Sequence, residues 1–172
     1  MTSAHWEAEY RAARERTAVK GPGVCGLDVL KSMSGLDFLR ALLDGRLPYA
    51  PIAETLDFAF VRIEKGEVDL IGEPRHGFYN PIGTVHGGWA ATLLDSCMAC
   101  AVHSALPAGQ GYSTIEIKVN YARPISIATG PMRGEGRVLT FGARVASAEG
   151  RLLGHDGKLY AHGTTTCLVF PL

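Results

Sequence analysis

From Trp89 to Leu106 the chain carries one charged side chain, Asp95, if His103 is neutral. The surrounding positions, including Leu93, Leu94, Cys97, Met98 and Val102, make a helix that is apolar on nearly every side. Such a helix has to be buried all round. A strongly curved antiparallel sheet wrapped around it meets that demand. The same stretch sets an electrostatic problem, because a carboxylate among these residues is costly unless paired or hydrogen-bonded. Asp95 is therefore either a structural acid held by a backbone or hydroxyl group, or a functional group in a deliberately dry setting.

The flanking patterns supply the sheet. Leu56 to Glu64 and Val68 to Ile71 flank Lys65-Gly66, which reads as a hairpin. Pro107-Ala108-Gly109 stops the apolar helix. Tyr112 to Tyr121 then alternates Ile115, Ile117, Val119 and Tyr121 against Thr114, Glu116, Lys118 and Asn120, the cleanest period-two signal in the chain. Three more strands are expected around Met132 to Leu139, Ala143 to Ala148 and Leu159 to Val169, with Gly150 and Gly154-His155-Asp156-Gly157 at turns.

Ahead of Pro51 the pattern is helical. Ala4 to about Lys20 reads as a polar helix, with Glu7 and Arg11 at i,i+4 spacing, broken by Gly21-Pro22-Gly23. A second helical stretch starts near Leu27. Ser34 then N-caps a helix whose apolar stripe is Leu36, Leu39, Leu42 and Leu43 and which Gly45 closes. These helices have little core of their own, so they are expected to cover something. The fold class is α+β, with residues 1–50 as an N-terminal helical extension and 51–172 as the sheet-and-helix domain.

Bulk properties narrow the function. A length of 172 residues suits one domain with a sizeable core. Seventeen Lys and Arg balance 17 Asp and Glu, which lacks the basic footprint of a nucleic-acid binder. No apolar run approaches the roughly 20 residues that span a bilayer. The start, Met1 to Glu7, has no basic and apolar signal regions. Cys25, Cys97, Cys100 and Cys167 are too sparse for a disulfide framework, so a reducing cytoplasm is expected. Cys97-x-x-Cys100-x-x-His103 lacks a nearby fourth zinc ligand and sits well inside the helix. It reads as packing, and no metal or cofactor is expected.

Gly87 and Gly88 open the apolar helix and offer backbone N–H groups at the positive end of its dipole. They either bind an anion or oxyanion there, or simply allow close packing. His86 beside them is an acid–base group or a loop-holding hydrogen bonder. Gly88 and Asp95 lie about 10 Å apart along the axis, so one helix cannot bring both to one carbonyl. Two antiparallel helices can, with Gly87 of one subunit facing Asp95 of another.

Asn80-x3-Thr84-x-His86-Gly87-Gly88-x6-Asp95, followed by Thr114 through Tyr121-x-Arg123-Pro124, resembles the PaaI-like acyl-CoA thioesterases of the hotdog superfamily. Ser34 through Pro48 and Ile52 is similar to the leader segment of some members. The resemblance implies a curved antiparallel sheet around one long helix. It also implies that Asp95 is general base or nucleophile, that Asn80 and the Gly87 amide act around the thioester carbonyl, and that Thr114 positions water. His86 and Gly88 fall beside the substrate. The implied partners are an acyl-CoA and a second copy of the chain, as a dimer or dimer of dimers. The alternatives are a hotdog dehydratase or hydratase, which pairs a His with an acid differently, and a non-catalytic acyl-CoA-binding protein. Phe78, Trp89, Met98 and Tyr112 are candidates for an acyl pocket or for core. Arg123, Arg133, Arg144 and Lys158 are unranked candidates for coenzyme A phosphates.

Overall fold

The computed structural model describes residues 3–172, without the side chain of Ser3; Met1 and Thr2, where the chain start and the 1–50 extension begin, lie outside the described residues. The order is α1 (Ser3–Ala18), α2 (Leu27–Ser32), α3 (Gly35–Leu43), α4 (Pro51–Thr55), β1 (Phe58–Glu64), β2 (Glu67–Gly72), α5 (Gly87–Ser104), β3 (Gln110–Tyr121), β4 (Met132–Phe141), β5 (Val145–Gly154) and β6 (Leu159–Pro171). The six strands form one antiparallel sheet in the order β1-β2-β4-β5-β6-β3. Helix α5 lies in its concave face, as expected for a hotdog fold, and Leu93, Leu94, Cys97, Met98 and Val102 are fully buried there. No helix of the described residues is long and apolar enough to cross a membrane.

Close seating of α5 depends on glycines inside strands. Gly136, Gly150 and Gly163 are cross-strand partners on β4, β5 and β6. A Cβ on Gly136 would press on the backbone of Cys97 and Met98, and one on Gly150 would stand 2.7 Å from Met98 Cγ. This corrects the expectation that Gly150 marks a turn. It lies in mid-strand because the helix leaves no room for a side chain, while the turn falls at Gly154–Gly157.

The N-terminal helices cover both sides of the sheet's β1 end. The expectation of a polar α1 misses a buried stripe, Trp6, Tyr10, Ala13 and Thr17, at helical spacing. Its apolar members pack on Ala59 and Ile71, which point away from α5. Arg133, 8% exposed, ties α1 down by pairing with Glu9 at 3.0 Å and Asp69 at 3.4 Å. On the other side, Ser34 Oγ accepts the Asp37 N–H, capping α3 as expected. Leu39 of α3 packs on Ile63, Val68 and Ala101, so α3 wedges between β1 and α5. Gly35 makes that contact possible, since a Cβ there would strike the His103 carbonyl.

Candidate active site

The turn before α5 is locked from within. Asn80 Oδ1 accepts from the N–H of Ile82 (3.1 Å) and Thr84 (3.2 Å), and its Nδ2 donates to Thr84 Oγ1 at 2.9 Å. Gly83 supplies the left-handed residue at φ +90° that closes this loop. His86 is the N-cap of α5, and its Nδ1 accepts the Gly88 N–H at 2.9 Å. The ring hydrogen of the neutral form therefore sits on Nε2. Of the two glycine amides, Gly88's is thus engaged. Among the described residues no acceptor meets that of Gly87. Tyr121 Oη donates to the Gly87 carbonyl at 3.0 Å and steadies the same peptide run. Asn80, His86, Gly87, Tyr121 and Arg123 line one cavity of about 310 Å³.

Asp95 lies elsewhere. It is half-buried on the α5 face between the two edge strands β1 and β3, away from the five apolar neighbours that sequence proximity suggests. With Thr114, Phe38, Leu42, His103 and Tyr112 it borders a second cavity of about 350 Å³. Thr114 Oγ1 donates to Asp95 Oδ1 at 3.1 Å. Burial pushes the Asp95 carboxyl above its ordinary value, the Thr114 hydrogen bond opposes that rise, and no cation contributes. The candidate residues are brought together as two groups, Asn80, His86, Gly87 and Gly88 at one end of α5 and Asp95 with Thr114 two turns on.

A bulge in β3 allows both groups to be served by one strand. Tyr112 meets the His103 ring and Thr114 meets Asp95, so even positions face the helix. Further on, Val119 packs in the core and Tyr121 reaches Gly87, so odd positions face it. The register shift between Thr114 and Glu116 makes that change of parity, with Ile115 as the extra residue. The regular alternation expected from Tyr112 to Tyr121 is therefore broken at Ile115.

Several candidates resolve as core or structure. Met98 and Trp89 are buried, with Trp89 Nε1 donating to the Leu56 carbonyl and its ring stacked on Phe78, which leaves Tyr112 as the one of the four aromatic and Met candidates on the Asp95 cavity. Of the four cation candidates, Arg133 is buried and paired, Lys158 pairs with Asp156, and Arg123 borders the Gly87 cavity. Cys97 faces β4, whereas Cys100 and His103 face the Asp95 cavity. Burial holds Cys97 well above the usual thiol range and pushes Cys100 up to about 12, so both stay protonated. Sequence reasoning misses Tyr121, His103 and Phe38 as lining residues. Only the Tyr-x-Arg-Pro run gives any signal for Tyr121.

A model of the thioesterase superfamily matches residues 82–161. The chain is similar to a phenylacetic acid degradation-related protein of Ralstonia eutropha, at 30% identity and a TM-score of 0.70, covering 76% of this chain and 98% of that one. It is also similar to a variant of the phenylacetic acid degradation protein PaaI of Thermus thermophilus, at 26% identity and a TM-score of 0.61, covering 69% of this chain and 97% of that one. A protein of Halobacterium salinarum carrying an esterase name is 42% identical over 69 residues, 39% of this chain, and the chain spans 44% of that relative's length. The lone carboxylate on the long helix thus sits in a known frame: the chain belongs to the thioesterase superfamily, with the hotdog fold of its PaaI-like members.

Proposed function

We propose that the protein hydrolyses acyl-CoA thioesters as a two-fold assembly, with Asp95 of one chain and the Gly87 N–H of its partner converging on one carbonyl. The observation that carries this reading is the Asp95 carboxyl itself, desolvated, held by Thr114 and without a cation on the wall of a largely apolar cavity. A carboxylate so placed is a stronger base than one in water. The Gly87 amide, unengaged at a helix N-terminus, polarises the carbonyl. Asn80 and His86 hold the turn and the Gly88 N–H, and so keep that amide aimed. Thr114 orients the carboxylate.

Eight residues separate Gly87 from Asp95, about 12 Å of helix. No single carbonyl touches both within one chain, which favours a site shared by two. The edge strand β3 supports the same view. It is a twelve-residue strand at the edge of the sheet, with Ile115 58% and Tyr121 55% exposed among polar neighbours, and its unpaired backbone edge is open to a partner strand. Antiparallel pairing of two β3 strands about a two-fold axis supplies one and yields two equivalent sites. Pairing of two such dimers remains compatible with this arrangement.

In the reaction, water adds to the carbonyl as Asp95 takes its proton, and the C–S bond breaks to release the acid and the coenzyme A thiolate, which is then protonated. Alternatively Asp95 attacks first, expels the thiolate and forms an anhydride that water cleaves. Single-turnover hydrolysis in heavy-oxygen water separates these, because label in Asp95 requires the anhydride. Coenzyme A release followed with a thiol reagent tests the reading as a whole. Loss of an enoyl chromophore without release favours a hydratase, and binding without release favours a carrier. Sedimentation that finds a fully active monomer refutes the shared site.

A further inference from the structure

A cavity of about 490 Å³ lies on the outer face of the sheet, between α1, the start of β1 and the chain that leaves β2. It is larger than either cavity along α5 and of the size that holds small molecules. All its charged residues precede 82–161, the stretch matched by the superfamily model. Arg11, Arg14 and Arg75 border it with Glu7, Glu15, Asp57 and Glu73, three cations against four acids. Internal pairs consume part of this set. Asp57, held in the left-handed region at φ 54°, gives one carboxylate oxygen to the Tyr10 hydroxyl and the other to Arg75 Nε. Arg14 gives Nη2 to Glu54 at 2.7 Å. Groups of both signs are left over. Arg14 Nη1 is buried with no hydrogen-bond partner among the described residues, and Arg11 spends only Nε, on the Glu7 carbonyl. Glu15 and Glu73 form no ion pair among the described residues.

A buried guanidinium donor without an acceptor calls for one from outside the chain. We propose that this cavity is an effector site for a small ligand carrying one carboxylate and two ammonium groups, the chemistry of a basic amino acid. The carboxylate meets Arg14 and Arg11, and the ammonium groups meet Glu15 and Glu73. Charge selects this class. The bordering side chains leave a net charge of −1, which a ligand of charge +1 balances. A simple anion would face the acids unpaired, and a plain diamine would leave Arg14 Nη1 without its acceptor. Signs alternate turn by turn along α1, at Glu7, Arg11 and Glu15, which disfavours an extended polyanion. Both walls lead to the catalytic groups. Glu54, the partner of Arg14, sits on α4 two residues from Ile52 of the Asp95 cavity. Arg75 runs into Phe78, whose carbonyl accepts the N–H of His86, the N-cap beside Gly87, at 2.8 Å. A ligand that draws on Arg14 therefore acts on a wall of one half-site, and one that shifts Arg75 acts on the turn of the other.

The test is calorimetric titration of the full chain at fixed ionic strength with L-lysine, cadaverine, which lacks the carboxylate, and L-norleucine, which lacks the second ammonium group. L-Lysine is expected to bind at least about ten-fold more tightly than either, the scale of one charged group left unpaired. Arg14→Gln should erase its advantage over cadaverine, and Glu73→Gln its advantage over norleucine. Arg11→Gln, on the exposed side of α1, should reduce the first advantage and carries that arm if Arg14→Gln does not fold. Absence of saturable heat with L-lysine in the millimolar range, or equal binding of the three compounds, overturns the site and leaves a solvated ion-pair cluster. Advantages unchanged in all three variants place the ligand elsewhere and overturn it too. Saturating L-lysine is also expected to change kcat or KM for coenzyme A release by two-fold or more. Binding that moves neither overturns the effector role, and a protein that binds L-lysine but releases no coenzyme A from any acyl-CoA overturns the hydrolytic reading while the site stands.

Discussion

Gly136→Ala tests whether the seat of α5 also sets the position of its acid. The added Cβ would press on the Cys97 carbonyl and lie 2.7 Å from the Met98 nitrogen. Both are backbone atoms of a helix, so no rotamer change relieves the contact. Ordinary van der Waals separation is about 3.5 Å, and helix and strand must part by about 1 Å to restore it. Overpacking of this kind costs about 1–3 kcal/mol. For a chain of this size that lowers the melting temperature by about 2–12 °C. Asp95 is two residues from Cys97 on the same helix, so it moves with the displaced backbone. A shift of about 1 Å at a catalytic group lowers the rate by about 100-fold. Calorimetric melting and coenzyme A release read the two effects together. Gly77→Ala is the control, because nothing lies within 4 Å of its Cβ and its backbone is unstrained, and it should leave both unchanged. A Gly136→Ala protein that melts and turns over like wild type would falsify the close seating of α5 on β4.

Asp95→Asn should lower kcat/KM by about 10²–10⁴, the usual contribution of a general base, while leaving the melting temperature at neutral pH equal or higher. Burial raises the folded carboxyl pKa, so the charged form opposes folding once the pH is above that value, and the variant's gain should vanish below the ordinary Asp range. Thr114→Val removes the hydrogen bond that favours the charged form, so the acid limb of kcat/KM should move to higher pH. The thiols of Cys100 and Cys167 and the phenol of Tyr112 face the same acid and are all held above their usual ranges, and His103 titrates at about 4. An acid limb unmoved in Thr114→Val therefore points to a group other than Asp95. Arg133→Ala leaves Asp69 with Arg62 alone and should destabilise the fold by about 3 kcal/mol in urea unfolding; a loss under 1 kcal/mol would show that α1 does not depend on this pairing.

The elements of the domain were legible because their signals are local. An apolar helix with one acid, Lys65-Gly66 between two apolar runs, and Ser34 ahead of a leucine stripe each carry a short-range cause that tertiary contacts do not override. Gly150 shows where this fails. Glycine in a turn and glycine under a helix are the same letter, and only the opposed Met98 distinguishes them. The buried stripe of α1 was hidden for a related reason, since Tyr10 and Thr17 score as polar yet are buried with their hydroxyls bonded to Asp57 and Ala13. The site was legible as a set of residues but not as a shape. Its acid and its helix-end amide share a helix, so their separation follows from rise per residue alone. What sequence spacing conceals is the bulge at Ile115, because an extra residue changes the parity of a strand without changing its composition. Without it, Tyr121 would face away from Gly87 whenever Thr114 faced Asp95. A deletion of Ile115 should therefore uncouple the two ends of α5, keeping either the Thr114 or the Tyr121 contact but not both.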